Sequence, residues 1–321
     1  MKIDIEKFKD LKVLVIGDLM IDEYVWGDVH RISPEAPVPI VSVDNTSFTL
    51  GGAGNVVNNI VSMGGKVSVA GTVGSGFTGK MLIDKLKHFN VDIKGLIEDP
   101  ERPTTRKTRI IASNQQILRI DNETTREIRH HTFDSLKKVL MEKIPGMNLI
   151  IVSDYAKGLI TEKLMKLIID RASYHNILTI ADPKGLDFIK YKNASILTPN
   201  RKEAALASNI EIKCSDDLIK AGRKIADQLN LDRLVITCGK DGMVLFKKDK
   251  NVVNIKSKAR QVFDVSGAGD TVIAILGLAM ASGHGFHQSA SIANAAAGIV
   301  VGKVGTAAIT PEELKGAIDI T

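Results

Sequence analysis

The sequence has little cysteine and no long apolar run, and both absences exclude classes of protein. Its two cysteines, Cys214 and Cys238, are far apart and lack the spacing of a zinc or redox pair. The longest apolar candidate, residues 272–281, is too short to span a membrane. Residues 1–10 contain no apolar segment of the kind found in signal peptides. We therefore predict a cytoplasmic protein with reduced thiols and no membrane partner.

Charge of one sign is not in large excess either. Lysine and arginine number 43 against 37 acidic residues, and aromatic residues make up only 4% of the chain. Because basic blocks interleaved with aromatic residues are lacking, nucleic acid is not an expected partner. The modest positive excess suits an enzyme that acts on anionic small molecules. With 321 residues, of which 44% are apolar, the chain can bury a core without disulfides or metal.

Short apolar runs alternate with amphipathic segments along the chain. The segments between the runs, for example residues 161–174 and 215–229, predict helices. The runs predict buried parallel strands at residues 12–17, 66–73, 149–152, 177–181, 195–197 and 234–237. This alternation predicts an α/β fold with a mostly parallel central sheet and helices on both faces.

Two segments, residues 24–50 and 104–121, do not fit the alternation. The first contains three prolines and a β-rich run, and the second predicts strands at 106–112 and 116–120. Together they predict a small β-sheet inserted into a single domain, residues 1–321, where it can act as a lid over a site. The exposed edges of such a lid need covering, and pairing of two lids in a homodimer is one solution.

The first glycine-rich loop, residues 74–80 (GSGFTGK), follows a strand and opens a helix. It matches the G-x-G-x-x-G dinucleotide fingerprint, but the expected ribose-binding acid is poorly placed, since Glu98 and Asp99 lie in a turn before Pro100. It is not a P-loop, because Met81 stands where a magnesium-binding hydroxyl belongs. We favour a plain strand-to-helix turn near the substrate. A nicotinamide-dependent dehydrogenase is the alternative.

Two more glycine-rich loops precede helical segments. Residues 51–55 (GGAGN) let the backbone approach a ligand closely, although a tight turn with Asn55 as the helix N-cap explains the same pattern. Residues 264–271 (DVSGAGDT) place small residues at a helix start, where backbone N–H groups and the helix dipole favour an anion. Asp270 could merely cap this helix. However, a carboxylate beside a phosphate site can also accept a proton from an attacking hydroxyl, and we favour that role.

Four motifs, in this order along the chain, resemble those of the ribokinase-like (PfkB) sugar kinases. They are the GGAGN loop, residues 200–203 (NRKE), residues 237–242 (TCGKDG) and the DVSGAGDT loop. Within that family, four narrower runs resemble the D-glycero-β-D-manno-heptose-7-phosphate kinases, namely residues 31–39, 114–116, 153–158 and 182–185. In many bacteria that activity is the N-terminal half of a bifunctional kinase/adenylyltransferase. The resemblance covers essentially the whole chain and ends where the adenylyltransferase half would begin.

The resemblance implies transfer of a phosphoryl group from ATP, with Mg²⁺, to the anomeric hydroxyl of the heptose 7-phosphate. The product would be the 1,7-bisphosphate, a precursor of ADP-heptose and the lipopolysaccharide core. A monovalent cation could assist. Asp270 is then the expected base, and the anion hole is expected from the amides of Gly267, Ala268 and Gly269.

The resemblance also implies binding roles for matched residues. On the nucleotide side the expected residues are Thr237, Gly239, Gly242, Asn294, Asn200 and Glu203, the last two organising Mg²⁺ through water. Sugar hydroxyls are expected at Asp18, Asp22, Gly52 and Asn55. The cations available for the sugar phosphate are Arg106, Lys107, Arg109 and Lys157.

Several of these residues also have simpler interpretations. Asn200 and Glu203 fit a helix capping box. Asp18 could cap the next element, but Asp22 follows it at helical spacing, which favours a ligand role. Gly76 stands where the family often has an acid, so a sugar contact there is not expected.

Arg106 and Lys107 are neighbours on a predicted strand and face opposite ways, so at most one face of this strand can point at a substrate.

Other functions stay open. The nearest alternative is a ribokinase-like kinase for a ketose phosphate or a nucleoside. A non-catalytic sugar sensor is another, although such a protein would be expected to have lost Asp270.

Overall fold

The structure is a computed structural model that describes residues 4–113, 115–249, 251–259, 262–303 and 305–319. Asn114, part of the run at residues 114–116, lies outside the described residues. The strands are β1 (Lys12–Gly17), β2 (Leu19–Ile32), β3 (Pro39–Gly52), β4 (Lys66–Val73), β5 (Asp92–Glu98), β6 (Thr105–Ala112), β7 (Gln115–Asn122), β8 (Leu149–Ser153), β9 (Leu178–Asp182), β10 (Ile196–Leu197), β11 (Arg233–Thr237), β12 (Met243–Lys247) and β13 (Val252–Ile255).

The α-helices connect and cover these strands. They are α1 (Ala53–Ser62), α2 (Phe77–His88), α3 (His130–Lys143), α4 (Glu162–Tyr174), α5 (Arg201–Ser208), α6 (Ser215–Gln228), α7 (Ala268–Ala281), α8 (Phe286–Val300) and α9 (Pro311–Asp319). The predicted strands of the α/β body are all present, and their ends differ from the predicted ones by no more than one residue. Across the described residues, no helix combines the length and the apolar character needed to cross a membrane.

The large sheet has the strand order β13-β12-β11-β10-β9-β8-β1-β4-β5. Neighbouring strands from β11 to β5 run parallel, whereas β12 and β13 are antiparallel additions. The first strand, β1, lies between β4 and β8, so the strand order reverses at this point. In open α/β sheets, ligands bind in the crevice at the carboxyl ends of the strands where the order reverses. The topology therefore directs attention to the residues that follow β1 and β8.

Alternate side chains of β1 enter two separate cores. Val13 and Val15 belong to the core formed with α1, α7 and α8, whereas Leu14 and Ile16 belong to the core formed with α3 and α4. All four side chains are fully buried, and each such burial contributes roughly 1.5–3 kcal/mol. The helices thus cover both faces of a mostly parallel sheet, and the predicted fold class is confirmed.

The small sheet has the strand order β3-β2-β6-β7. Strands β2 and β3 form a long antiparallel hairpin, β6 runs parallel to β2, and β7 runs antiparallel to β6. The two segments that broke the alternation thus lie in one inserted sheet. Strand β2 begins at Leu19, before the predicted start at residue 24, because Leu19, Met20 and Ile21 are buried and continue the apolar pattern of the body.

The two outer strands of the small sheet carry exposed apolar side chains. Every residue of β7 is exposed along the strand. The large apolar side chains exposed on this sheet include Ile32, Val43, Ile117, Leu118 and Ile120. Exposed apolar strands at a sheet edge favour pairing with another chain.

Candidate active site

The candidate base lies in the first turn of α7. Gly267 immediately precedes this helix with φ of +78°, and a Cβ at this position would lie 2.5 Å from Asn55 Nδ2. Glycine is therefore required by both the conformation and the close approach. The helix then opens with Ala268, whose N–H donates to the Val265 carbonyl oxygen at 3.3 Å, and Gly269, and the helix dipole makes this end favourable to an anion.

Asp270 is held by two hydrogen bonds inside the protein, where it is only 2% exposed. Asn55 Nδ2 donates to Asp270 Oδ2 at 2.9 Å, and the Tyr155 hydroxyl donates to Asp270 Oδ1 at 2.8 Å. Burial raises the pKa of Asp270 to about 7, although both hydrogen bonds oppose this effect. A carboxylate with a pKa near neutrality is suited to accept a proton from a hydroxyl.

Asn55 is itself oriented by a buried polar chain between α1 and α7. Asn59 Nδ2 donates to the Asn55 carbonyl oxygen at 2.9 Å, and Thr271 Oγ1 donates to Asn59 Oδ1 at 3.0 Å. All three side chains are fully buried. Asn59 Nδ2 also donates to the side-chain Oδ1 of Asn55 at 3.4 Å, so this buried chain orients the Asn55 amide relative to Asp270.

Asp18 follows β1 and accepts two backbone hydrogen bonds from the loop after β8. The N–H groups of Tyr155 and Lys157 donate to Asp18 Oδ2 at 2.8 Å and 3.1 Å. Burial, followed by the charge of Asp154, raises the pKa of Asp18 to about 6. Gly52 closes this corner with φ of +54°, and a Cβ there would lie 2.6 Å from the Asp18 carbonyl oxygen. Asp18 and Gly52 are thus brought together.

Asp22 lies on β2, and its carboxylate is paired with Arg109 of β6. The helical spacing predicted between Asp18 and Asp22 is wrong, because β2 begins at Leu19, between the two acids. The Arg109 guanidinium also lies over the Tyr24 ring, 5.2 Å from its centroid. Asp22, only 3% exposed, therefore keeps a fixed cationic partner.

The two candidate lysines converge on one acidic side chain. Lys107, the register partner of Asp22 in the small sheet, lies 3.2 Å from Glu123 Oε2, and Lys157 Nζ lies 2.6 Å from Glu123 Oε1. Asp121 also contacts Lys107 at 3.2 Å. Lys107 and Lys157 thus lie in one cluster of paired charges that they share with Glu123 and Asp121.

Arg106 lies on the opposite face of the small sheet from Lys107. Its Nε is 3.6 Å from Glu23 Oε2, and its side chain is 37% exposed. The predicted alternation along this strand is therefore observed, and the face that includes Asp22, Lys107 and Arg109 is the one turned toward the site. The structure does not bring Arg106 to the other candidate residues.

A cavity of about 260 Å³ lies directly beside the start of α7. Its walls are backbone and small apolar side chains, with few charged groups. They include the predicted nucleotide-side residues Thr237, Gly239, Gly242 and Asn294 together with Ala268 and Gly269. Asn294 Nδ2 donates to the Lys256 carbonyl oxygen at 2.8 Å, so this side chain fixes a loop of the cavity wall. A flat apolar ligand such as a nucleobase fits walls of this kind.

Asn200 and Glu203 form the capping box at the start of α5. Asn200 Oδ1 accepts from the Glu203 N–H at 3.0 Å, and Glu203 Oε2 accepts from the Asn200 N–H at 2.9 Å. Glu203 also pairs with Lys184, whose Nζ lies 2.6 Å from Oε1. Burial, followed by the charges of Glu203 and Asp270, raises the pKa of Asp182 well above its usual value. A group of acids thus faces the space next to Asp270.

The oxygen donors near Asp182 suit Mg²⁺ that keeps part of its water shell. Among the residues that the structure describes, no cluster of three or more His, Cys, Asp or Glu side chains could hold a metal ion directly. Mg²⁺ is commonly bound through one or two carboxylates, several waters and the phosphates of a nucleotide. Asn200 and Glu203 therefore fit a role through water, and the acids would hold the ion only together with the nucleotide.

The loop at residues 74–80 owes its glycines to close packing. A Cβ at Gly79 would lie 1.9 Å from the Gly74 carbonyl oxygen, and a Cβ at Gly74 would lie 2.3 Å from the Arg102 carbonyl oxygen. The Gly74 N–H donates to Thr104 Oγ1 at 2.8 Å. These contacts explain the fingerprint as a strand-to-helix turn without a dinucleotide.

Sequence reasoning assigned no role to Tyr155, Asp182 or Lys184, although all three lie within the runs at residues 153–158 and 182–185. Tyr155 and Lys184 follow strands β8 and β9, and Asp182 is the last residue of β9. The general rule that ligands bind at the carboxyl ends of parallel strands could have indicated them.

Residues 10–313 match the pfkB family of carbohydrate kinases. The chain belongs to this family. This pfkB-family protein is therefore a sugar kinase, which acts on a small-molecule acceptor. Membership removes the dehydrogenase alternative, in agreement with the packing role of the glycines at residues 74–80.

Curated relatives of this pfkB-family kinase share nearly half of its residues. Bifunctional protein HldE of Desulfatibacillum aliphaticivorans is 49% identical over 312 residues, which cover 97% of this chain and 64% of that protein. Bifunctional protein HldE of Helicobacter hepaticus is 47% identical over 307 residues, covering 95% of this chain and 63% of that protein. The kinase thus spans about 64% of the length of the curated relatives it matches.

Solved structures share its fold at low sequence identity. Arabidopsis thaliana ribokinase, complexed with ribose and ATP, superposes with a TM-score of 0.77 at 17% identity, covering 97% of this chain and 99% of that chain. Phosphofructokinase-2 from Escherichia coli, in complex with potassium, gives a TM-score of 0.82 at 19% identity with the same coverage. These two likenesses show the ribokinase-like fold of the pfkB-family kinase.

Proposed function

We propose that this kinase transfers the γ-phosphoryl group of ATP to the anomeric hydroxyl of D-glycero-β-D-manno-heptose 7-phosphate, giving the 1,7-bisphosphate and ADP. The observation that carries the proposal is the position of Asp270, between the apolar cavity and the sugar-side acids. The choice of sugar rests on the runs that resemble heptose 7-phosphate kinases, supported by relatives named bifunctional protein HldE that are 47–49% identical.

The chemistry proposed for Asp270 needs one proton transfer. The carboxylate accepts the proton of the anomeric hydroxyl, the sugar oxygen forms a bond to the γ-phosphorus, and the bond from that phosphorus to the β–γ bridging oxygen breaks. We assign stabilisation of the charge on the transferred group to the N–H groups of Gly267, Ala268 and Gly269 at the positive end of α7, although the Ala268 N–H also donates to the Val265 carbonyl oxygen at 3.3 Å. When bound, Mg²⁺ neutralises charge on the phosphates, and Asn200 and Glu203 orient its waters.

The remaining assignments follow the two sides of the cleft. Thr237, Gly239, Gly242 and Asn294 bind the adenosine part of ATP, since all four line the same cavity. On the other side, sugar hydroxyls are bound by Asp18, Asp22, Gly52 and Asn55. We assign the 7-phosphate to Lys107, Arg109 and Lys157, whose cations lie on the site face of the small sheet or beside it. Arg106 leaves this group because it pairs with Glu23 on the other face.

Coupled ADP release tests the substrate. The kinase is given ATP and Mg²⁺ with heptose 7-phosphate, fructose 6-phosphate, ribose or adenosine, each with sodium or with potassium as the monovalent cation. We expect the highest kcat/KM with the heptose. A preference for another sugar contradicts the proposed substrate and supports a different ribokinase-like kinase. Absence of ADP release with every sugar supports a sugar-binding protein without catalysis. We also predict a cytoplasmic location, because ATP and sugar phosphates are metabolites of the cell interior.

A homodimer formed through the small sheet is also part of the proposal. Its support is the exposed apolar side chains on the outer strands, above all Leu118 at 51% and Val43 at 56% exposure. Burial of these side chains against a second copy would remove apolar surface from water. Light scattering of the full chain is expected to give twice the monomer mass. A monomeric mass at micromolar concentration contradicts this part and leaves the proposed reaction unaffected.

A further inference from the structure

The loop after β8, residues 154–158, connects Asp18 of the proposed sugar site with Asp270 through one residue. The backbone N–H of Tyr155 donates to Asp18 Oδ2 at 2.8 Å, and its hydroxyl donates to Asp270 Oδ1 at 2.8 Å. The first acid belongs to the proposed sugar site and the second is the proposed base. Tyr155 is therefore the one residue of this loop whose backbone and side chain contact both.

This loop has its own anchor, which does not depend on a substrate. Asp154 Oδ1 accepts from the Ala156 N–H at 2.7 Å, and Asp154 Oδ2 accepts from the Tyr191 hydroxyl at 2.6 Å and from Lys190 Nζ at 2.5 Å. Ala156 has φ of +55°, a conformation that costs roughly 1–2 kcal/mol for a residue with a Cβ. The bonds to Asp154 offset that cost, so the Tyr155 ring is held in place before the sugar arrives.

We propose that Tyr155 is a positioning residue that keeps the Asp270 carboxylate ionised and ready to accept a proton. The proposal rests on the proposed function, because it gives Tyr155 a role through the base of that reaction. A phenol donor stabilises a carboxylate but cannot donate in the same way to a protonated carboxyl oxygen that carries the hydrogen. Loss of the hydroxyl should therefore favour the protonated, inactive state of Asp270.

The charges around Asp270 make this support necessary. Asp22 of β2 opposes ionisation of Asp270, and Asp182 of β9 interacts with it unfavourably, while Arg109 neutralises part of the Asp22 charge. The donors that favour ionisation are the Asn55 amide and the Tyr155 hydroxyl. The pKa of Tyr155 is raised well above its usual value by burial, followed by the charges of Asp270 and Asp182, so its hydroxyl keeps its proton throughout the working pH range.

The test compares the pH dependence of kcat/KM in the wild type and in Tyr155→Phe. Because Asp270 must be ionised, activity rises with pH through its pKa, near 7. The change removes one charge-assisted hydrogen bond, so we expect the acidic limb to move upward by about one pH unit. At pH 6 kcat/KM should then fall about tenfold, while at pH 9 the two enzymes should be nearly equal.

Tyr191→Phe is the matched control. It removes the same hydroxyl from another buried carboxylate, Asp154, which does not contact Asp270. We expect a lower melting temperature and an unmoved acidic limb. A uniform loss of activity at all pH values in Tyr155→Phe contradicts the proposal, as does an equal shift in both variants, because both results indicate a structural role only.

A second measurement needs no sugar and therefore separates this inference from the proposed function. A raised folded-state pKa means that Asp270 stabilises the fold at low pH and loses that contribution as pH rises through about 7. The melting temperature of the parent, measured relative to Asp270→Asn, should fall across this window. In a Tyr155→Phe background the fall should extend about one pH unit higher. An unchanged fall contradicts the role of Tyr155, whereas a shifted fall without ADP release from any sugar contradicts only the proposed reaction.

Discussion

The nucleotide side and the sugar side of the candidate active site are formed by different kinds of residues. The nucleotide side is a cavity of glycine, alanine, valine and backbone, and its predicted residues come from one glycine-rich turn and one helix. The sugar side consists of buried acids held by donors from α1, β6 and the loop after β8. The comparison teaches that the first side depends on backbone conformation, whereas the second depends on side chains brought together from distant parts of the chain.

The largest expected effect concerns the point where the two sides meet. Asp270→Asn keeps the shape of the side chain but removes the proton acceptor, so kcat should fall by about 10²-fold or more while the KM for ATP changes little. ADP release measured at saturating ATP and sugar checks this. Near-normal turnover would remove Asp270 from the mechanism. The variant should also be folded and, at pH 8, more stable than the wild type, since burial disfavours the ionised carboxylate.

The nucleotide side is tested by two glycines of the same cavity. Gly242 has φ of +92°, and a Cβ there would lie 2.0 Å from the Ile255 carbonyl oxygen, whereas Gly239 has φ of +58° with no atom within 4 Å of a Cβ. Gly242→Ala should lower the free energy of unfolding by about 3 kcal/mol and raise the KM for ATP. Gly239→Ala should cost only about 1 kcal/mol. Urea unfolding measures both, and equal costs would show that backbone fit does not define this side.

The sugar side is tested by two neighbouring cations. Lys107→Met removes a cation from the site face of the small sheet, and the KM for a phosphorylated sugar should rise about tenfold because one charge-assisted contact is lost. Arg106→Met removes a cation from the other face and should leave that KM unchanged. Steady-state kinetics with varied sugar distinguish them. Equal effects of the two changes would mean that the net positive charge of the protein attracts the substrate, whichever face of the small sheet carries the cation.

Sequence reasoning succeeded where the signal is local. The strand at residues 66–73 was predicted to the residue because it is a short run rich in valine, and the capping box of Asn200 and Glu203 was evident from spacing alone. The helix start near residues 267–269 was likewise predicted from a short run of small residues. Local backbone conformation depends on neighbouring residues, so a single sequence can reveal it.

The contacts that the sequence did not reveal join residues far apart in the chain. Tyr155 meets Asp270 only because β8 ends and α7 begins at the same edge of the large sheet, and Asn55 reaches the same carboxylate from α1. The face of β6 that points to the site was equally hidden, because alternation predicts two faces without telling which one is turned inward. Such facts depend on tertiary packing, which spacing along the chain does not encode.

The junction between the two sheets has a mechanical consequence. Strand β1 ends at Gly17 and β2 begins at Leu19, so Asp18 alone separates the body from the hairpin, and the hairpin returns through Gly52 directly into α1. The Ala53 N–H donates to the Asp18 carbonyl oxygen at 3.1 Å, which ties the outgoing and returning chains together. The hairpin is thus joined to the body at the residue proposed to hold the sugar. Any tilt of the small sheet relative to the large sheet would therefore move the Asp18 carboxylate.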